Sequence, residues 1–154
     1  MQQMKFSFEG REDTDLEPTV EDFVEAYRRT GSRPLRGATF VEGDPDPTQN
    51  KPSCGCPVQV LATAAGADID PVHVHLLTPH IEYLTTAYGI SEVFLSGVIT
   101  GVDTMDEINQ DSSPELMRGV AVGRQLLGLL KFKTREEVDF YYYYNFPVPT
   151  DFWD

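Results

Sequence analysis

At 154 residues, 40% of them apolar, the chain has the size and composition of one ordinary domain, and it can bury about 68 to 70% of its unfolded surface without disulfide staples or a structural metal. Its 25 acidic against 12 basic residues give a formal charge of -13, which repels phosphate backbones and anionic lipid and so excludes nucleic acid and membrane surfaces as expected partners, leaving basic proteins. No apolar run approaches the roughly 18 residues of a bilayer span, the polar start MQQMKFSFEGRED lacks a secretory signal, and two cysteines two positions apart form no disulfide framework, so a cytoplasmic protein is expected.

Residues 1–18 alternate weakly in MKFSFEG and then turn acidic, which reads as a short strand or flexible arm followed by a linker. From Thr19 the pattern becomes helical: Thr19 can cap, Glu21 and Asp22 suit the positive helix end, and Val20, Phe23, Val24 and Tyr27 form a stripe at 3.6-residue spacing. Gly31 is expected to stop this helix.

Residues 33–53 are dense in Pro, Gly, Asp and Asn and read as one long loop, with Ala38 to Val41 as a brief strand. Loops over about 12 to 15 residues are uncommon inside domains and are often functional or disordered.

In SCGCPVQVLATAAG, Pro57 suits the first turn of a helix and Cys56 its N-cap, with Val58, Val60, Leu61, Ala64 and Ala65 as a buried face closed by Gly66. Asp68 to Pro71 reads as a further proline-initiated start leading through VHVHLL, and Thr78-Pro79 as the start of a helix ending at Gly89, with His80 exposed in its first turn. Ser91, with Glu92 following, then starts EVFLSGVITG, and Gly101 with Val102 and Asp103 ends it.

After the acidic loop DTMDEINQDSS, Ser113-Pro114 starts the longest helix, PELMRGVAVGRQLLGLLKF, with Leu116, Val120, Leu127 and Leu130 on one side. Its three internal glycines each cost about 1 kcal/mol against alanine, so close packing must compensate. Gly97 with Gly101, and Gly119 with Gly123, are small residues four apart, the spacing that lets helix backbones approach, here between helices of a soluble chain.

The last stretch differs from the rest, because residues 140–153 hold eight of the chain's aromatic residues. Consecutive tyrosines cannot all face one core. Tyr141, Tyr142, Tyr143, Tyr144, Phe146, Phe152 and Trp153 are therefore candidate interface residues, since a tyrosine ring is apolar while its hydroxyl stays wet. The expected fold is mainly α, or α+β: a compact bundle of four to five short helices with small strands from the termini or the long loop, in one domain over 1–154.

Chemistry has one candidate focus, the Cys-Gly-Cys-Pro turn, and three readings. As small hydrophobes, Cys54 and Cys56 would pack a helix entrance. As a reactive thiol, Cys56 would feel the unpaired amides of the helix it caps, with Cys54 as resolving partner, although the Cys-x-x-Cys spacing of redox sites is absent. As a metal site, Cys54 and Cys56 would join His73 and His75 around zinc, although both pairs are spaced by one residue where structural zinc sites use two or more. No cofactor is expected beyond that zinc alternative.

The acidic loop lacks the residues of a calcium loop, RGVAVG has no preceding strand and is no phosphate loop, and neither G-x-S-x-G nor H-E-x-x-H occurs. Arg36-Gly37, the Cys56-led LATAAG helix, Tyr88-Gly89, FLSGVITGVD and the later RG and VGR resemble small uncharacterised bacterial and phage proteins with a Cys-led helix, a YG element and a G-x-x-x-G-x-D element. That resemblance covers about residues 20–128 and implies a helical fold and no activity. The functional expectation is a soluble acidic interaction module without catalysis, self-associating or binding a protein partner through its aromatic C-terminal segment, with an acidic inhibitor mimicking nucleic acid as a further alternative.

Overall fold

The computed structural model describes residues 17–109 and 111–154, so the expected N-terminal strand or arm lies almost wholly outside the described residues. Among the described residues six α-helices follow one another: α1 Val20–Thr30, α2 Pro57–Ala64, α3 Leu77–Tyr88, α4 Glu92–Asp103, α5 Pro114–Leu129 and α6 Arg135–Tyr142. Among the described residues, no helix is long and apolar enough to cross a membrane.

Local chemistry sets most of these boundaries. Thr19 and Asp22 cap α1 reciprocally, the carboxylate accepting from the Thr19 amide at 2.8 Å, and Gly31 ends the helix in the left-handed region. Cys56 is the N-cap of α2, its sulfur accepting from the Gln59 amide at 3.5 Å, and Pro57 takes the first position, where a missing N–H costs nothing. Ser91 and Ser113 cap α4 and α5, and Thr134 with Glu137 forms a capping box for α6.

Two expectations need correction around residue 75. The Pro71 start makes only a turn over 71–75, because the Asp70 carboxylate accepts from the amides of Val72 and His73 at 3.0 and 3.1 Å and satisfies the donors that a helix start would offer. Helix α3 then begins at Leu77, ahead of the Thr78-Pro79 pair, which puts His80 on the inward face with Leu84. His80 is 1% exposed, and its Nδ1 lies 2.7 Å from the Leu76 carbonyl oxygen.

The tightest packing lies between α4 and α5. A methyl group on Gly97 would stand 2.4 Å from the Leu116 carbonyl oxygen, and one on Gly119, 2.1 Å from that of Phe94. One turn on, Gly101 and Gly123 meet Val120 and Val98 in the same way, at 2.3 Å each. Contacts that advance together along both helices mean that α4 and α5 run parallel. Residues 104–113 make this possible: α4 is about 18 Å long, and ten extended residues span up to about 33 Å. The buried stripe of α5 is therefore Gly119, Val120, Gly123 and Leu126, with Leu116 and Leu127 only partly buried.

Strands come from the long loop, from the Cys54-Gly55 pair just after it and from the segment before α6. Strands β1 Arg33–Arg36, β2 Phe40–Val41, β3 Cys54–Gly55 and β4 Lys133–Thr134 form one sheet in the order β2-β3-β1-β4. β1 pairs parallel with β3 (Arg33 with Cys54) and with β4 (Leu35 with Lys133), while β2 pairs antiparallel with β3.

Two apolar clusters result. The larger joins α1 to α5 around α2, whose Val58, Val60, Leu61 and Ala62 are wholly buried; the smaller holds Leu35, Cys54, Val138 and Trp153. A helix that buries most of its surface belongs at the centre of a bundle, and α2, buried from Pro57 through Ala62, has that place.

The glycine contacts make a paired prediction. Gly119→Ala should destabilise the protein by about 3 kcal/mol, because carbonyl oxygens of a neighbouring helix have nowhere to retreat. Gly128→Ala, at a helix position with nothing within 4 Å, should stabilise it by about 0.5 to 1 kcal/mol. Urea unfolding midpoints of the two variants check this, and equal shifts would contradict the packing described.

Candidate functional site

The Cys54-Gly55-Cys56 turn sits where the chain passes from the small cluster to the large one. Gly55 has no room for a side chain, since a methyl there would lie 1.9 Å from Gln59 Oε1 and 2.8 Å from Val60 Cγ2. Its carbonyl oxygen accepts from the buried Tyr27 hydroxyl at 2.8 Å, and the Cys56 amide donates to the Thr39 carbonyl at 2.8 Å. The two thiols thus face different interiors, Cys54 the small cluster and Cys56 the helical one.

Both thiols are free, and burial pushes each from an ordinary 9.0 up to about 12. For Cys56 the amides of Gln59 and Val58 act in the opposite direction, as an N-cap should, but burial outweighs them and Asp103 adds to it. For Cys54 the Tyr142 hydroxyl and Arg33 favour the thiolate, again less than burial opposes it. Neutral thiols are weak nucleophiles.

His73 and His75 lie on the exposed 71–75 turn. The His73 Nδ1 sits 2.8 Å from an Asp70 carboxylate oxygen, and this contact holds the Asp70 carboxyl below its ordinary range. The four-residue zinc arrangement is not assembled: the sulfurs are buried in two interiors, the imidazoles are on the surface, and no three His, Cys, Asp or Glu side chains among the described residues could hold a metal ion. His80 is the buried imidazole, its pKa lowered chiefly by desolvation, and its Nε2 has no partner among the described residues.

The aromatic segment divides into an inward and an outward set, by helical phase within α6 and by tertiary contact beyond it. Val138 and Tyr142 on α6 face inward, and Trp153, 7% exposed, fills the small cluster and donates from Nε1 to the Asn50 carbonyl at 3.3 Å. Phe152 packs behind it, its ring 4.7 Å from that of Trp153 and 4.9 Å from that of Tyr141, with the Lys133 ammonium 4.5 Å above it. Tyr142, Phe152 and Trp153 are thus tail anchors on the inward side.

Phe140, Tyr143, Tyr144 and Phe146 face outward, Tyr143 being 78% exposed. Phe140 and Phe146 stack at 4.6 Å and 11°, and Tyr143 and Tyr144 meet edge to face at 5.0 Å. Phe140 was absent from the sequence-based candidates; it lies on the outward phase four residues after Glu136, a spacing readable once α6 is known to begin at the Thr134-x-x-Glu137 capping box.

The described residues define a mainly α protein with a small mixed sheet, joined by a tail that packs aromatic rings inward and presents others outward. In comparisons with known proteins the chain matches no family model, no curated protein and no solved structure.

The buried thiols set an alkaline limit. Each folded-state thiol pKa lies above its unfolded value, so the stabilisation is complete below about pH 9 and is lost as pH rises toward about 12, the unfolded chain releasing its protons first. Cys56→Ala should make this alkaline fall shallower. Urea midpoints at several pH values between about 7 and 11 test it, and an unchanged slope in the variant would rule out the Cys56 contribution.

Proposed function

We propose that this is a soluble, cytoplasmic, non-catalytic interaction protein that binds a basic protein partner through the outward aromatic face of its C-terminal segment. The observation that carries this reading is the grouping of Phe140, Tyr143, Tyr144 and Phe146 as exposed rings. Clustered exposed apolar surface is a mark of contact sites.

Charge supports the choice of partner. Glu136 precedes Phe140 by one turn on the same helix phase, and a net charge of -13 sets two copies of the chain against each other while attracting cations. Aromatic faces accept Lys and Arg side chains, as the Phe152 ring accepts Lys133 within this chain. The same charge keeps nucleic acid out of this proposal. No cofactor enters it, and the resemblance to small bacterial and phage proteins adds no activity to it.

Deleting residues 140–154 is a poor test, because it also removes Tyr142 and Trp153, which fill the small cluster. The triple substitution Phe140→Ser, Tyr143→Ser, Tyr144→Ser leaves those anchors in place. It should keep the melting temperature within a few degrees and weaken binding of an amphipathic Lys/Leu peptide at least about tenfold, equivalent to about 1.4 kcal/mol. Binding of the unaltered chain should also fall as salt rises from about 50 to about 300 mM. Undiminished binding by the triple variant would overturn the reading. A dimer of the unaltered chain that becomes monomeric in the variant would replace the basic partner with a second copy.

A further inference from the structure

Three hydrogen bonds tie the tail beyond α6, and a fourth ties Tyr142 at the end of α6, to three consecutive residues of the long loop, 50–52. The Tyr142 hydroxyl donates to the Pro52 carbonyl at 2.5 Å, Lys51 Nζ to Asn145 Oδ1 at 3.1 Å, Asn50 Nδ2 to the Pro149 carbonyl at 2.9 Å, and Trp153 Nε1 to the Asn50 carbonyl at 3.3 Å. The strip they grip is pressed from its other side by Gly43, where a methyl group would stand 2.3 Å from the Lys51 carbonyl oxygen and 2.5 Å from the Pro52 carbonyl carbon. The Gly43 amide also donates to Ser53 Oγ at 3.0 Å. The strip is thus fixed on the loop side, and its outer side is a seat for the tail.

The seat is not a deep one. Trp153 is the only residue beyond α6 that enters an apolar cluster as a buried member, and that cluster is separate from the helical core. Between Tyr143 and Pro149 the tail carries no helix or strand and is largely exposed.

Closure also leaves Lys51 only 6% exposed, its ammonium meeting a neutral amide oxygen, with no carboxylate pairing with it among the described residues. Burying an ammonium without a counter-charge opposes closure, and opening returns it to water.

We propose that residues 143–154 form a strap that releases from the 50–52 strip as a unit, with Trp153 as its latch, while the helical core stays folded. Release opens the small cluster and brings Cys54, which lines it beside Trp153, into contact with solvent. The desolvation that keeps the Cys54 thiol neutral lessens with it, leaving the Tyr142 hydroxyl, which stays with α6, and Arg33 to favour the thiolate. Segments with few buried apolar contacts open at lower free energy than the core they rest on.

The two cysteines make this measurable, because each belongs to a different cluster. Iodoacetamide labelling of the unaltered chain, read separately for Cys54 and Cys56 by peptide mass, should show Cys54 reacting at least about tenfold faster, with a shallower dependence on urea below the unfolding midpoint. Static exposure predicts the opposite order, since Cys54 is 0% and Cys56 4% exposed. In Trp153→Ala, Cys54 should gain at least a further tenfold in rate while Cys56 stays within about twofold of the unaltered chain. Equal rates with equal urea dependence in the unaltered chain would overturn the proposal, as would a Cys54 rate unmoved by Trp153→Ala. If that variant fails to fold and both thiols label at the unfolded rate, the urea series on the unaltered chain decides alone.

Discussion

The backbone contact between α4 and α5 constrains everything built around it. Four glycines let two helices touch along their main chains, and they do so in parallel, so that both positive ends lie together. Two aligned dipoles repel, and acidic side chains at those ends offset the repulsion: Glu92 and Glu115 occupy the first turns, and the Ser91 hydroxyl that caps α4 also bonds the Glu115 carboxylate. From that end the pair is tied to the start of α1 by the Glu17 carboxylate, which grips Arg118 at 2.6 to 3.0 Å. The opposite end reaches the sheet, where the Asp103 carboxylate accepts from the Gly37 amide at 3.0 Å.

Gly55 plays the corresponding part between the two clusters. The chain passes through a gap bounded by Gln59, Val60 and the Tyr27 hydroxyl, and a side chain at this position would have to displace the Gln59 and Val60 side chains. The cysteines on either side inherit their environments from this crossing: one closes the helical core as an N-cap, and the other lies beneath the tail. Their spacing follows from how two interiors are joined, and in the closed molecule burial keeps both of them neutral.

Features governed by neighbours in the chain were legible in the sequence. Thr19, Cys56, Ser91 and Ser113 cap helices because a side chain three residues from an amide can meet it whatever the rest of the molecule does, and Gly31 and Gly89 end helices for equally local reasons. The glycine spacing announced close packing but not its direction, which depends on how residues 104–113 travel. Counting apolar residues placed the buried stripe of α5 near Leu116 and Leu127, because glycines carry no hydrophobic signal even where they define the contact. Strands β1 and β4 pair across nearly a hundred residues and are two to four residues long, too short for any periodicity to reveal. The aromatic tail was recognisable as a surface of interest; within α6 the split between inward Tyr142 and outward Phe140 follows from a helical phase fixed at Thr134, while beyond α6 it depends on contacts with residues 50–52.

The contacts between the tail and residues 50–52 join points 90 to 103 positions apart in the chain. Closing a loop of that length costs entropy before any contact repays it, and the cost falls once the intervening helices have condensed. The tail is therefore expected to dock late in folding, onto a core already in place. Contacts made after the rate-limiting step govern how fast the native state is lost and hardly affect how fast it forms. The indole of Trp153 thus belongs to the lifetime of the folded molecule more than to its route there.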